Sequence, residues 1–373
     1  MRVDQMGIPK YLQHRFPQSP PASLSVLFRM VIPVIFVISL LAIPGCTYPA
    51  PASAPPDADE PPMSAPAANP WAGTEYIERT FEWTYWRFKD ITWEWSVRIP
   101  TALYEDYSSR PRIPSGDYTL YARDDGDKEI IEDLASTLAS YAASLELDDY
   151  ETLHFIAAFV QQLEYAGDFE TTGFDDYARY PVEMLVEQHG DCEDSSILLG
   201  KVLLSLGYDV VMIRLPEHMA LGIRATDKFL GTHYTYNDVS YFYLETTGAG
   251  GRVGMVPEQY QGQPAYIYDF SPRPIITHEW TGRHSNGRYE VQVKVGNHGS
   301  TTIESCSILV GFDAGNDGLW NAVESEPFTL APHDSRELSL SLPLPHTKDT
   351  RILIYVVHEG KSVDWSQSQW FGD

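Results

Sequence analysis

The 373-residue chain reads as an α+β unit followed by an all-β sandwich, and three features carry that reading. Between residues 130 and 206, apolar positions recur at helical spacing, the last such run opening at a cysteine. On either side of these runs lie stretches that alternate apolar and polar residues, the mark of half-buried strands. After Pro272 and Pro274 the helical period vanishes and short strands continue for about 90 residues. The boundaries fall at residues 1–46, 47–70, 71–274 and 275–373. Hydrophobic residues make up 43% and aromatics 13% of the chain, enough to fill two cores at this length.

The formal net charge is −26, and residues 1–46 contribute none of the excess: they hold Arg2, Lys10, Arg15 and Arg29 against Asp4 alone. So acidic a remainder excludes nucleic acid as a partner held by its phosphates. It suits a soluble domain in an extracytoplasmic setting. Three cysteines, Cys46, Cys192 and Cys306, sit in three different regions. They form neither a disulfide framework nor a zinc site built from cysteine pairs, and no metal or other cofactor is expected.

Residues 30–45 are almost wholly apolar, follow basic residues and end at Pro44-Gly45-Cys46. Spanning a bilayer takes roughly 20 residues, and Leu24 to Phe28 extend the run past Arg29. Two outcomes stand open: a signal anchor with a cytoplasmic N-terminus, or a lipoprotein-type signal cleaved before Cys46. Either one attaches the protein to a membrane with its bulk outside the cytoplasm. Residues 48–70, with their Ala-Pro repeats, read as an extended, semi-rigid stalk.

In the first folded unit, Phe81, Trp83 and Tyr85 alternate with polar residues, as do Ile91, Trp93, Trp95, Val97 and Ile99. An antiparallel hairpin with one aromatic inner face is expected, turning near Lys89-Asp90. Ile131, Leu134, Leu138 and Ala142 mark one helix; Leu153, Ile156, Val160 and Leu163 mark a second, ending near Tyr165–Asp168.

The decisive stretch is Gly190-Asp191-Cys192. It opens into Leu198, Val202 and Leu206 at i, i+4, i+8, and Gly207 ends the run. Cys192 therefore sits in the first turn of a helix, where free N–H groups and the dipole favour a thiolate. Asp191, Glu193 and Asp194 suit the same dipole but oppose ionisation of the sulfur, so an imidazole must supply much of the thiolate's stabilisation. His218 starts a strand 26 residues later, after a strand over 208–215 and a Pro216-Glu217 turn. Glu245 ends a further strand, 241–245, from which it can orient the imidazole; Asp238 is the alternative acid. His154, His189 and His233 lack partners at metal-ligand spacing.

At Gly190–Asp194, Leu206–Asp209, His218 and Tyr243–Thr247 the chain resembles the transglutaminase-like cysteine-catalysis superfamily. More narrowly it is similar to archaeal and bacterial membrane-attached proteins, through Phe159-Val160-Gln161, Tyr165, Tyr180-Pro181, Pro216–Ala220 and Glu245–Gly248. The likeness covers roughly residues 71–268. It implies a papain-like fold in which a helix bearing the cysteine packs on an antiparallel sheet. It further implies Cys192 as nucleophile, His218 as general base and then acid, Glu245 as the orienting acid, and Gln161 as a candidate oxyanion donor beside the Cys192 N–H, with Gln162 competing for that place. Glu245 stands where the superfamily more often has Asp.

Beyond residue 275, Tyr289–Val295, Cys306–Phe312, Leu338–Leu342 and 352–357 alternate, the last closing the set, and Cys306 faces inward. Asp313, Asn316 and Asp317 read as a turn. Through Gly296-Asn297-His298-Gly299 and 330–335 this part resembles the CARDB group of immunoglobulin-like domains. The expected activity is acyl transfer from a peptide or isopeptide amide of a protein substrate in the cell envelope, to water or to an amine. The alternative is a surface binding or adhesion protein that uses both units for contact.

Overall fold

A computed structural model describes residues 75–371, except 114, 316, 317 and 346–348. The expected membrane segment and stalk lie outside these residues, and none of the described helices is long and apolar enough to cross a membrane.

The chain enters through a hairpin, β1 (Tyr76–Tyr85) and β2 (Phe88–Pro100). Phe81 pairs with Trp95 and Trp83 with Trp93, so the aromatic positions of both strands share the inner face. The turn comes earlier than the alternation predicts, at Trp86-Arg87, because a register shift after Thr84 brings Tyr85 opposite Phe88. Ile91 is left exposed as a result. Five helices follow: α1 (Thr101–Ser109), α2 (Thr119–Ala122), α3 (Lys128–Ser144), α4 (Asp149–Val160) and α5 (Asp168–Thr172). Leu134, Leu138 and Ala142 of α3 and Leu153, Ile156 and Val160 of α4 are buried, as their spacing requires. Asp148 caps α4 by accepting the Glu151 N–H at 2.9 Å. That helix stops at Val160 rather than near Tyr165, because Glu164–Tyr165 forms a short strand, β3.

Next come α6 (Pro181–Glu187), β4 (His189–Gly190) and α7 (Cys192–Ser205). Helix α7 lies inside the unit, with Ile197, Leu198, Leu199, Val202 and Leu203 fully buried. It packs on strands β5 (Val210–Leu215) and β6 (His218–Arg224). With β7 (His233–Tyr236), β8 (Val239–Leu244) and β9 (Tyr266–Asp269) these form an antiparallel sheet in the order β7-β8-β6-β5-β9. Met219, Leu221 and Ile223 face the helices; Ala220, Tyr241 and Tyr243 face the other way, under Val256 and Ala265 of the long loop after β8.

Strands β10 (Ile276–Ser285), β11 (Arg288–Asn297) and β15 (Ser335–Pro343) form one sheet of the C-terminal part. The second holds β12 (Ile303–Asp313), β13 (Leu319–Glu324), β14 (Phe328–Leu330), β16 (Ile352–His358) and β17 (Lys361–Gln367). Strand 352–357 does not close the set, since β17 pairs beyond it. Val291, Val293 and Val295 meet Cys306, Ile308, Val310, Ile354 and Val356 in one apolar core. Asn297 is buried beside it and joins three segments, accepting the Ile275 and Gly299 N–H groups and donating to the Thr301 and Leu330 carbonyls. Gly299 is required there, because a Cβ would run into the Arg273 carbonyl.

Candidate active site

Cys192 is the first residue of α7, as the helix signals predict. Two devices fix the turn that presents it. Asp194 folds back to accept the Asp191 N–H at 3.2 Å, the reciprocal half of a capping box. A side chain at Gly190 would meet the Asp194 Cβ at 2.7 Å, so only glycine permits this fold-back. Parallel pairing of β3 with β4 then ties the turn to the chain after α4, with Ala166 N–H donating to the Gly190 carbonyl at 3.0 Å.

Asp194 is no simple first-turn acid. It is buried and accepts from the Arg179 N–H at 2.6 Å and the Arg179 Nη1 at 2.9 Å. The fully buried Arg179 guanidinium also donates to Asp168 at 2.8 Å, Glu187 at 2.7 Å and the Thr171 hydroxyl at 2.8 Å. One cation thus locks α5, α6 and α7 together beneath the cysteine. Its fork geometry suits several carboxylates at once.

His218 opens β6 after a two-residue turn, Pro216-Glu217, in which Glu217 takes the left-handed conformation (φ 57°). Pairing of Gly222 with Tyr243 puts His218, Tyr243 and Glu245 on the same face of the sheet. The His218 Nε2 lies 3.1 Å from the Glu245 Oε2. The Tyr243 hydroxyl donates to that same oxygen at 2.7 Å and lies 3.2 Å from Nε2. The other carboxylate oxygen accepts the Thr246 N–H, the Thr247 N–H and the Thr247 hydroxyl at 2.9–3.1 Å. Burial by itself raises the Glu245 pKa; the hydrogen bond and charge of His218, the Tyr243 hydroxyl and the Thr247 N–H outweigh it and hold the carboxyl at about 2.

The backbone N–H of Met219, next to His218, bears on the Cys192 thiol and works to lower its pKa. Tyr260 stacks flat on the imidazole, centroids 4.2 Å apart and planes within 2°, and burial first, then the neighbouring Cys192, raise its phenol pKa. A buried hydroxyl pair, Ser196 with Thr246 at 2.9 Å, sets the helix against the segment carrying Glu245. The fold therefore gathers Cys192, His218 and Glu245 around one end of β6.

Two expectations change. The thiol is not activated by its helix position: burial raises its pKa well above the ordinary range, and the Glu193 and Asp191 carboxylates add to this. The thiol itself donates to the Glu193 Oε2 at 3.3 Å. Gln161 is not free to hold an oxyanion, because its Nε2 donates to the Glu245 carbonyl at 2.8 Å and to the Gly251 carbonyl at 3.1 Å. It braces the loop behind Glu245 instead. Asp238 lies exposed in the β7–β8 turn. His154 is a buried structural residue, bonded to the Tyr150 carbonyl at 2.7 Å and accepting the Val253 N–H at 3.1 Å.

Carboxylates crowd the mouth. Asp168, Asp176 and Glu193 bring ligand atoms within 4.8 Å of one another, as do Asp168, Asp191 and Asp194, and Asp191, Cys192 and Glu193. In the second group Arg179 already balances Asp168 and Asp194. Sequence reading missed Arg179, Tyr243 and Tyr260. Tyr243 was within reach of it, being two residues before Glu245 on the same strand face; nothing in the local pattern marks Tyr260.

No protein-family model matches this sequence, and no curated protein matches it. Among solved structures the chain is similar to LapG of Legionella pneumophila, with 19% identity over 38% of this chain and 86% of that one and a TM-score of 0.27. It is similar to red sea bream transglutaminase, with 11% identity over 75% of this chain and 60% of that one and a TM-score of 0.22. It is also similar to a CARDB domain from Pyrococcus furiosus in complex with di-metal ions, with 23% identity over 24% of this chain and 78% of that one and a TM-score of 0.19. These likenesses are partial.

Proposed function

We propose that this chain is a cysteine-dependent acyl-transfer enzyme of the transglutaminase-like kind, built on a papain-like core over residues 71–274 and followed by a CARDB-like sandwich over 275–373. The observation that carries the reading is the His218–Glu245 hydrogen bond at 3.1 Å, on a strand that packs against the helix opening at Cys192. Glu245 takes Nε2, which leaves Nδ1 as the ring nitrogen for the thiol.

The chemistry follows from the raised thiol pKa. Cys192 rests protonated, so its proton passes to His218 as the sulfur attacks the amide carbonyl carbon, and Glu245 stabilises the imidazolium. The carbonyl oxygen takes the charge, and the Cys192 N–H, unpaired in the first helical turn, is positioned to receive it. His218 returns the proton to the departing amine, leaving a thioester. Water or a second amine, deprotonated by His218, then releases the acyl group. Hydrolysis of peptide or isopeptide bonds in cell-envelope protein is the preferred outcome. In this reading residues 1–46 attach the protein to the membrane and 47–70 hold the catalytic unit outside the cytoplasm.

The competing reading is a surface binding module, and the neutral, carboxylate-flanked thiol favours it. Full-length protein and Cys192→Ala, incubated with glutaminyl and backbone-amide peptides with and without a primary amine, separate the two. Mass spectrometry should find an acyl adduct on Cys192 and product only from the wild type. Identical silence from both proteins would leave the binding module.

A further inference from the structure

We propose that two tyrosines clamp the His218 imidazole: the Tyr243 hydroxyl fixes its Nε2 edge and the Tyr260 ring fixes its plane. The inference rests on the Cys192–His218 reading and concerns what makes that pair competent.

An imidazole turns easily about its second side-chain torsion, whose wells are broad and roughly two-fold. One hydrogen bond, to Glu245, leaves the ring free to swing about that bond. Two further contacts remove the freedom. The Tyr243 hydroxyl stands 3.2 Å from Nε2 and 2.7 Å from the Glu245 oxygen that Nε2 meets, closing a three-membered polar triangle. The Tyr260 ring lies 4.2 Å away and within 2° of parallel, so the imidazole cannot rotate without striking it. The phenol of Tyr243 is a permanent donor, because burial and the neighbouring Glu245 charge push its ionisation far above neutral pH.

The two tyrosines come from different places. Tyr243 belongs to β8 and is fully buried. Tyr260 is half-buried on a 3₁₀ turn, Glu258–Tyr260, within the long loop between β8 and β9. Gly248, Gly250 and Gly254 of that loop adopt positive φ, which lets the chain fold back over the sheet. The clamp is therefore half scaffold and half loop, and the loop half can be removed without opening the core. Both tyrosines act through His218; neither touches the reacting atoms. They are positioning residues.

The test is the rate of Cys192 alkylation by iodoacetamide in the full-length protein, followed against pH, with thermal unfolding measured on the same samples. Tyr260→Leu should slow alkylation near neutral pH about tenfold while Tyr260→Phe, which keeps the ring, stays within about twofold. Tyr243→Phe removes one hydroxyl and should displace the pH profile itself, an effect that lost packing alone would not produce. Melting temperatures of the Tyr260 variants should stay at the wild-type value. If both clamp variants keep the wild-type rate and profile while His218→Asn slows alkylation, the clamp is wrong and the Cys–His pair stands. If His218→Asn also leaves the rate untouched, the clamp and the pair fall together.

Discussion

The two halves of the molecule handle buried charge in opposite ways. Among the described residues, every buried Asp, Glu, Lys and Arg lies before residue 275. They are Asp117, paired with Arg273, Asp127, paired with Lys201, Arg179 with Asp168 and Asp194, Glu183, paired with Arg112, and Glu245. The sandwich core is instead aliphatic and aromatic, and the buried polar residues around it, Thr277, Asn297, Ser307 and Thr350, are uncharged. Taking a charge out of water costs several kcal/mol, and an apolar replacement is often neutral or better for stability. A chain that holds its C-terminal half together without such charges has no general need for them. Their concentration around α7 and β6 marks where geometry, rather than stability, is being specified.

That contrast can be broken at its strongest point. Arg179→Met should strand Asp168 and Asp194 without a cation and cost about 3–5 kcal/mol, read as a lower urea midpoint for the first unit. A variant as stable as wild type would show that the guanidinium does not carry the cysteine turn. Acid offers the next largest effect. A carboxyl held at about 2, below its ordinary 4.5, stabilises the fold above pH 4.5 and loses that contribution as the pH falls toward 2. The loss is about 3 kcal/mol, so Glu245→Gln should destabilise less steeply than wild type between about pH 5 and pH 2 in denaturant titrations. Equal slopes would mean that the His218–Glu245 bond does not depend on the charge. In the sandwich, Ile354→Val removes one buried methyl and should cost only about 1 kcal/mol in the same experiment. The smallest effect sharpens the picture at the sulfur. Glu193→Gln removes a carboxylate that raises the thiol pKa, so alkylation of Cys192 at about pH 8 should rise severalfold. An unchanged rate would leave burial and the Asp191 carboxylate as the causes.

How far the sequence reaches depends on how local each signal is. Helices α3, α4 and α7 were legible because their stripes repeat over three or more turns, and the Gly-Asp-Cys turn because its cap is written in adjacent residues. Helix α1 was not, since only Leu103 and Tyr107 of its nine residues are buried and no stripe emerges. The two-residue strands β3 and β4 are too short for any period, yet they anchor the cysteine turn. His218 and Glu245 could be read from strand alternation and a short turn. Tyr260 could not, because it reaches the imidazole through tertiary folding of a loop. Gln161 misled because a side-chain amide in a buried helix end has carbonyls of its own chain to satisfy before any substrate arrives. The thiol misled because helix position is a local property, whereas desolvation is set by the whole surround.

The Pro216-Glu217 turn has a consequence for how this protein can change over time. His218 is the first residue to pair on the returning strand, so the hairpin carries no slack between bend and imidazole. Because neighbouring residues of a strand point to opposite sides, one inserted residue there would carry the ring across to the helix-covered surface. Drift in length that the outlying loops of the sandwich absorb would be silencing here, with every chemical group still encoded.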